Sequence, residues 1–330
     1  MACSAETFAQ QASVNVVEPA RRDFELVSTQ PGTAEAFYEA DLGAKVSGYV
    51  SELKVDIGTR VKKGQVLARI TVPELVQARN AAAAEAGALD SEYHRIAALA
   101  ARKSVTEKSL TEAKGRLDTA RAKQAEVEAQ MAYATIEAPF DGIVTSRAID
   151  PGDMVYQASS PKGGNEPLLR VAEVDVMRVK TYVPERESAW VDVGDAATVT
   201  FDALSGKVFT GQVARAADAL DAATRTMLVE IDLPNADGRI RPGYYGQTRI
   251  VLEKRSNALG LPSSAVRFDA GSPFVYVVST DDTVRRTPVQ IGLESAGWTE
   301  IVSGLTGTER VASGGAGVLE DGASVRVVAR

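Results

Sequence analysis

Two stretches of the chain carry the same spaced pattern 94 positions apart, and this repetition limits the fold more than any other feature. Gly48, Val50, Val55, Gly58 and Val61 in the first stretch match Gly142, Val144, Ile149, Gly152 and Val155 in the second. Alternating Val and Ile residues mark short strands with one face on a core. The glycines, Gly64 among them, mark places where a turn demands positive φ or close backbone approach. Two such half-units can pack against each other as a sandwich.

The segment between them, residues 74–133, has no proline, 17 alanines and nine basic against nine acidic residues. That composition favours helix with a neutral, charge-mixed surface. In its second half Leu110, Ala113, Leu117, Ala120, Gln124, Val127, Met131 and Ala134 recur at alternating spacings of three and four. Such spacing is the seam of a coiled coil. Ala82, Ala86, Leu89, Tyr93, Ile96 and Ala100 offer the matching seam in the first half. Two antiparallel helices of about 30 residues, each on the order of 45 Å long, are therefore predicted, turning back near Lys103 to Thr106. Arg79, Glu85, Arg95, Glu112 and Arg121 fall on outer faces, so the pair reads as a protruding hairpin rather than a buried one.

Composition excludes several functions. The 330 residues suffice for two or more domains, and no apolar run approaches the ~18 residues a membrane span needs. A net charge of -7, with 37 basic residues scattered among 44 acidic ones, argues against a nucleic-acid partner. Cys3 is the only cysteine, which rules out an intrachain disulfide and a cysteine-based zinc site. The sole histidine, His94, lies in the helical insert and reads as a solvated helix residue. Met131, Met154, Met177 and Met227 are dispersed and read as packing residues, leaving no metal site. No Gly-x-Ser-x-Gly elbow or P-loop is present, and Gly314-Gly315-Ala316-Gly317 reads as a loop. Neither catalysis nor a cofactor is expected.

The phrases GYVSELKVDIGTRVKKGQVLARI and APFDGIVTSRAIDPGDMVY resemble the biotinyl-lipoyl domain over Phe37 to Thr71 and Tyr133 to about Val174. A carrier domain joins its halves by a short hairpin bearing an acceptor lysine. Here about 60 residues intervene, which makes a lipoyl or biotinyl carrier subunit a poor reading. Beyond Asp175, VMRVKTYV, ATVTF and MLVEIDL alternate with turn signals and suggest a small β-barrel. The last stretch, with FVYVV, VRRTPVQIGL and VRVVAR, reads as a further β domain that pairs with residues near the N-terminus.

Together these features resemble the periplasmic adaptors, the HlyD-like membrane fusion proteins of resistance-nodulation-division tripartite efflux pumps. The resemblance implies a multidomain, mainly β chain with an inserted antiparallel α-helical coiled-coil hairpin. Its divisions would be a flexible tail (1–12), a membrane-proximal β domain (13–25 and 256–330), a β-barrel (26–36 and 175–255), a split lipoyl-like domain (37–73 and 134–174) and the hairpin (74–133). Arg95, Leu99 and Thr106 match the family's R-x3-L-x6-S/T spacing for docking on a TolC-like outer-membrane channel. Cys3, between Ala2 and Ser4, resembles a lipoprotein anchor site holding the chain at the inner membrane in the periplasm. The resemblance further implies an inner-membrane efflux transporter as partner and self-association, as a hexamer in the assembled pump. An adaptor for an ABC exporter or a metal pump is the alternative within transport.

Overall fold

A computed structural model describes residues 12–157, 167–315 and 319–328, and Cys3, Ala316 and Gly317 lie outside them. The chain divides into two compact units. One comprises Ala34–Arg178 and Pro234–Gly243; the other comprises the chain up to Thr33, Val179–Leu233 and everything from Tyr244 onward. The long strands Ala20–Leu42 and Leu169–Pro184 pass through both.

In the first unit the two repeats pair with each other. Gly48 lies opposite Val155, and Val61 opposite Gly142. Gly142 is the repeat mate of Gly48, and Val155 of Val61, so one contact is made twice, as across the two-fold axis of a symmetric dimer. The backbone hydrogen bonds obey the same rule. Gly58 N–H donates to Val144 O and Gly152 N–H to Val50 O, each at 2.8 Å. Val50, Val55, Val61, Val144, Ile149 and Val155 all enter one buried core with Leu67, Ile70, Ile136 and Leu169.

The glycines serve this pairing in two ways. Gly58, Gly64 and Gly152 have φ of 84°, 76° and 99°, the left-handed region open to glycine at little cost. Gly48 and Gly142 instead open the strands Gly48–Leu53 and Gly142–Arg147, so they are not turn glycines as expected. A Cβ at Gly48 would stand 2.5 Å from Thr71 O, and one at Gly142 would collide with Ala172 O, so close backbone approach excludes a side chain at both. Arg147 then ties the two halves together, with Nε 3.0 Å from Asp56 and Nη1 on Asp150, the repeat mate of Asp56. The Ile57 N–H and then Arg147 hold the Asp56 carboxyl below the usual range.

The helical insert rises from this unit as α1 (Pro73–Ala101) and α2 (Glu107–Ala132). Pro73 starts α1 because its missing N–H is one the first turn would leave unpaired.

The second unit contains a closed ring of strands. Ala196–Phe201 pairs with Phe209–Asp221, then come Thr226–Pro234, Leu169–Pro184, Ala20–Leu42 and Tyr245–Pro262, which returns to Ala196–Phe201. Closure leaves no free edge. Met227, Val229, Ile231 and Leu233 alternate inward along one strand, as a period of two requires. The buried Thr181 and Thr248 hydroxyls donate to Pro31 O and Gln30 O, each at 2.8 Å, so neither polar group is left unpaired.

A six-stranded sheet completes the unit, and Ala12–Val17 lies inside it, antiparallel to Val311–Gly315 and parallel to Val325–Val328. Gly314 and Gly315 thus belong to a strand rather than the expected loop, since Gly315 pairs with Val14. In the loop before that strand, burial alone would push the Glu309 carboxyl up. The N–H and hydroxyl of Thr306 and the N–H of Gly307 outweigh it and bring the pKa to about 2.

Two outcomes are expected. Gly142→Ala should cost about 1–3 kcal/mol through overpacking against backbone, read as a lower midpoint in urea. Glu309 binds its proton more weakly folded than unfolded. Its stabilisation is therefore complete above pH 4.5 and lost as the pH falls toward 2. The melting-temperature gap between wild type and Glu309→Gln should be widest above pH 4.5 and close on acidification.

Candidate docking site on the helical hairpin

The hairpin's geometry follows from its seam. The buried residues of α1 are Ala82 and Ala86, and those of α2 are Ala113, Leu117, Ala120 and Val127, all of them predicted seam positions. Leu89, Tyr93, Ile96, Leu110, Gln124 and Met131 are half-buried along the same line. Alanine at these positions lets the two backbones approach closely.

Ion pairs close the flanks of the seam. Arg121 reaches Asp90 at 2.7 Å, and Arg116 lies 3.6 Å from Glu92, each pair joining α2 to α1. Arg121 is therefore a cross-helix contact and not the plain outer-face residue its heptad position suggested. The close approach that the small seam residues allow puts Asp90 within reach of its guanidinium. His94 is exposed and stands 3.5 Å from Asp90.

At the turn, Arg102 and Ser104 N–H both donate to Leu99 O, at 3.1 and 3.0 Å. Lys103 takes φ of 57° to reverse the chain. Thr106 is the N-cap of α2, its Oγ1 accepting from Ser109 N–H at 3.2 Å and lying 2.9 Å from the Ser109 hydroxyl. The sequence carried a signal for this capping role, a threonine directly ahead of the periodic run, which the docking pattern obscured.

Of the three residues singled out, all are exposed. Leu99 leaves 39% of its surface in solvent, and Arg95 makes no ion pair among the described residues. Arg95 and Leu99 are four apart and so share one face of α1, displaced from the seam. What the hairpin offers at its end is thus an apolar side chain, a free cation and a helix start. No described helix is long and apolar enough to cross a membrane.

A barrel-sandwich built from two halves and split by a helical hairpin, followed by a closed β-barrel and a terminal β domain, is the domain order of an adaptor. Comparison with known proteins makes the class specific. Residues 39–160 match the CzcB-like barrel-sandwich hybrid domain, residues 179–254 the CusB-like beta-barrel domain, and residues 258–327 the YknX C-terminal permuted SH3-like domain. The chain belongs to the membrane fusion protein family of adaptors. It is similar to the nodulation protein NolF of Rhizobium meliloti, 26% identical over 85% of this chain and 78% of that one. It is also similar to the multidrug resistance protein MdtA of Klebsiella pneumoniae, 26% identical over 90% of this chain and 76% of that one. Among solved structures, a MacA-MexA chimera containing the Pseudomonas aeruginosa MexA alpha-hairpin superimposes with a TM-score of 0.77 at 25% identity, covering 90% of this chain and 99% of that chain.

The seam should tolerate no charge. Leu117→Asp places an unpaired carboxylate where the native side chain is 2% exposed, and should destabilise the hairpin by about 3–5 kcal/mol. Lys114→Asp, one turn away on the exposed face, should cost under about 1 kcal/mol. Circular dichroism of the full chain on heating should show early loss of helix signal for Leu117→Asp only.

Proposed function

We propose that the chain is the adaptor of a tripartite efflux pump, joining an inner-membrane transporter of the resistance-nodulation-division type to a TolC-like outer-membrane channel. The observation that carries this reading is the hairpin end, where Arg95 and Leu99 face solvent on a hairpin whose seam is otherwise closed. These two residues meet the channel, and Thr106 shapes the turn that presents them. The name multidrug resistance protein, borne by relatives such as MdtA of Klebsiella pneumoniae, supports drugs or similar small molecules as the cargo. The chain performs no catalysis in this reading and binds no cofactor.

The adaptor works in the periplasm, with Cys3 acylated at the inner membrane and several copies, six in the assembled pump, standing side by side. The terminal β domain (13–25 and 256–330) and the barrel (26–36 and 175–255) face the transporter. The lipoyl-like domain (37–73 and 134–174) carries the hairpin (74–133) toward the channel.

Arg95→Asp reverses the charge at the contact and leaves the seam alone. It should weaken docking by about 3–4 kcal/mol, on the order of 10²–10³-fold, without lowering the melting temperature. In a strain lacking its own adaptor and complemented at matched expression, Arg95→Asp should leave cells drug-sensitive while Lys114→Asp restores resistance. Resistance restored by Arg95→Asp would return that residue to an ordinary solvated face.

A further inference from the structure

One end of the β-barrel exposes apolar side chains that nothing among the described residues covers. After the strand Leu169–Pro184 the backbone makes a single helical turn, Glu185–Ser188, and then runs through Trp190 and Val193 into the strand Ala196–Phe201. Trp190 is 51% exposed and Val193 68%. The turn is held from several sides. Ser28 donates to Glu187 at 2.6 Å, Gly194 N–H donates to Val213 O at 2.8 Å, and Glu185 N–H donates to Arg225 O at 3.1 Å. The last bond brings the tip of the Phe209–Asp221 and Thr226–Pro234 hairpin to the same end, with Leu220 39% exposed just before it. The other tryptophan, Trp298, is half-buried and lies under the Arg22 guanidinium at 4.2 Å.

The charge around these side chains is one-sided. Arg186 is taken up by Glu187 and Arg225 by Glu185. Asp192, Asp218 and Asp221 are exposed and have no ion pair among the described residues. Thr224 N–H, then its hydroxyl and Ala223 N–H, hold the Asp221 carboxyl below the usual range. Asp218 sits at φ of 51°, where the strand is bulged between Ala216 and Leu220. An exposed tryptophan flanked by apolar residues and a polar rim is the composition of an interface centre. A rim bearing unpaired carboxylates selects a cationic partner and repels another copy of a chain with net charge -7.

We propose that this end of the barrel, centred on Trp190 and Val193 and rimmed by Asp192, Asp218 and Asp221, docks a basic polypeptide segment of another protein that inserts an apolar side chain beside Trp190. The proposal rests on the adaptor reading in one respect, that the partner is another member of the same assembly. The efflux test of Arg95 concerns the hairpin alone, so the two fail separately.

The experiment places photoreactive benzoylphenylalanine at Val193 of the full chain, in cells that contain the native assembly, and identifies the captured peptide by mass spectrometry. The same probe at Val208 serves as control. Val208 is 62% exposed, and it lies at the opposite end of the Ala196–Phe201 strand, where Phe209 pairs with Val199. The expected result is an adduct at position 193 to a peptide of net positive charge from a different protein, absent at position 208. Asp192→Asn with Asp218→Asn should reduce its yield about fivefold or more. Asparagine tolerates the left-handed backbone at position 218, so the bulge survives the change. Adducts only to a second copy of this chain, adducts to acidic peptides, a yield indifferent to the two Asp→Asn changes, or no adduct from a chain with wild-type circular dichroism would each overturn the proposal.

Discussion

Everything else in the molecule hangs on the reciprocal pairing of its two repeated halves. Neither half is a complete sandwich. Gly48 and Gly142 let each strand approach its neighbour's backbone, and only then can Val155 and Val61 close the core from opposite sides. The pairing sets Gly48 against Val155 and Val61 against Gly142, so the segment between the two halves must leave and return at adjacent points. A helical hairpin does this, because two antiparallel helices begin and end side by side. The same constraint explains Arg147, which spans two aspartates that are themselves repeat mates. One cation thereby fastens both turns.

The barrel solves a different problem. Its strands come from two distant parts of the chain, Ala20–Leu42 and residues 169–262, and an open sheet of that kind would expose edges able to pair with other chains. Ring closure removes them, and the long strands Ala20–Leu42, Leu169–Pro184 and Tyr245–Pro262 continue past the barrel into neighbouring structure. Ring closure leaves helical tips and barrel ends among the surfaces open to partners. Both surfaces singled out above, the Arg95 and Leu99 face and the Trp190 and Val193 turn, are of that kind.

Charge is used sparingly inside and freely outside. Thr181 and Thr248 are paired with backbone carbonyls. The hairpin carries its ion pairs across the seam's flanks, where solvent screens them and each contributes under about 1 kcal/mol. Arg121 and Arg116 thus give register more than stability, whereas Arg95 makes no such pair among the described residues.

Periodicity alone determined a great deal here. The duplicated Gly-Val pattern, the proline-free alanine-rich insert and its spacings of three and four specified a split sandwich with a helical hairpin, and every buried hairpin residue was among the seam positions they named. These features are local repeats of hydrophobicity, and local patterns are legible because each side chain's face depends only on its position in the strand or helix. What tertiary structure decided depends on residues far apart in the chain. Gly48 and Gly142 are needed for backbone approach rather than for turns, Arg121 bridges two helices, and Gly314 and Gly315 join a strand because Ala12–Val17 lies beside them. The acid-rimmed Trp190 turn belongs with these. Nothing in the spacing of Asp192, Asp218 and Asp221 relates them until the strand Ala196–Phe201 pairs with Phe209–Asp221 and Glu185 N–H bonds Arg225 O, which brings their segments to one end of the barrel.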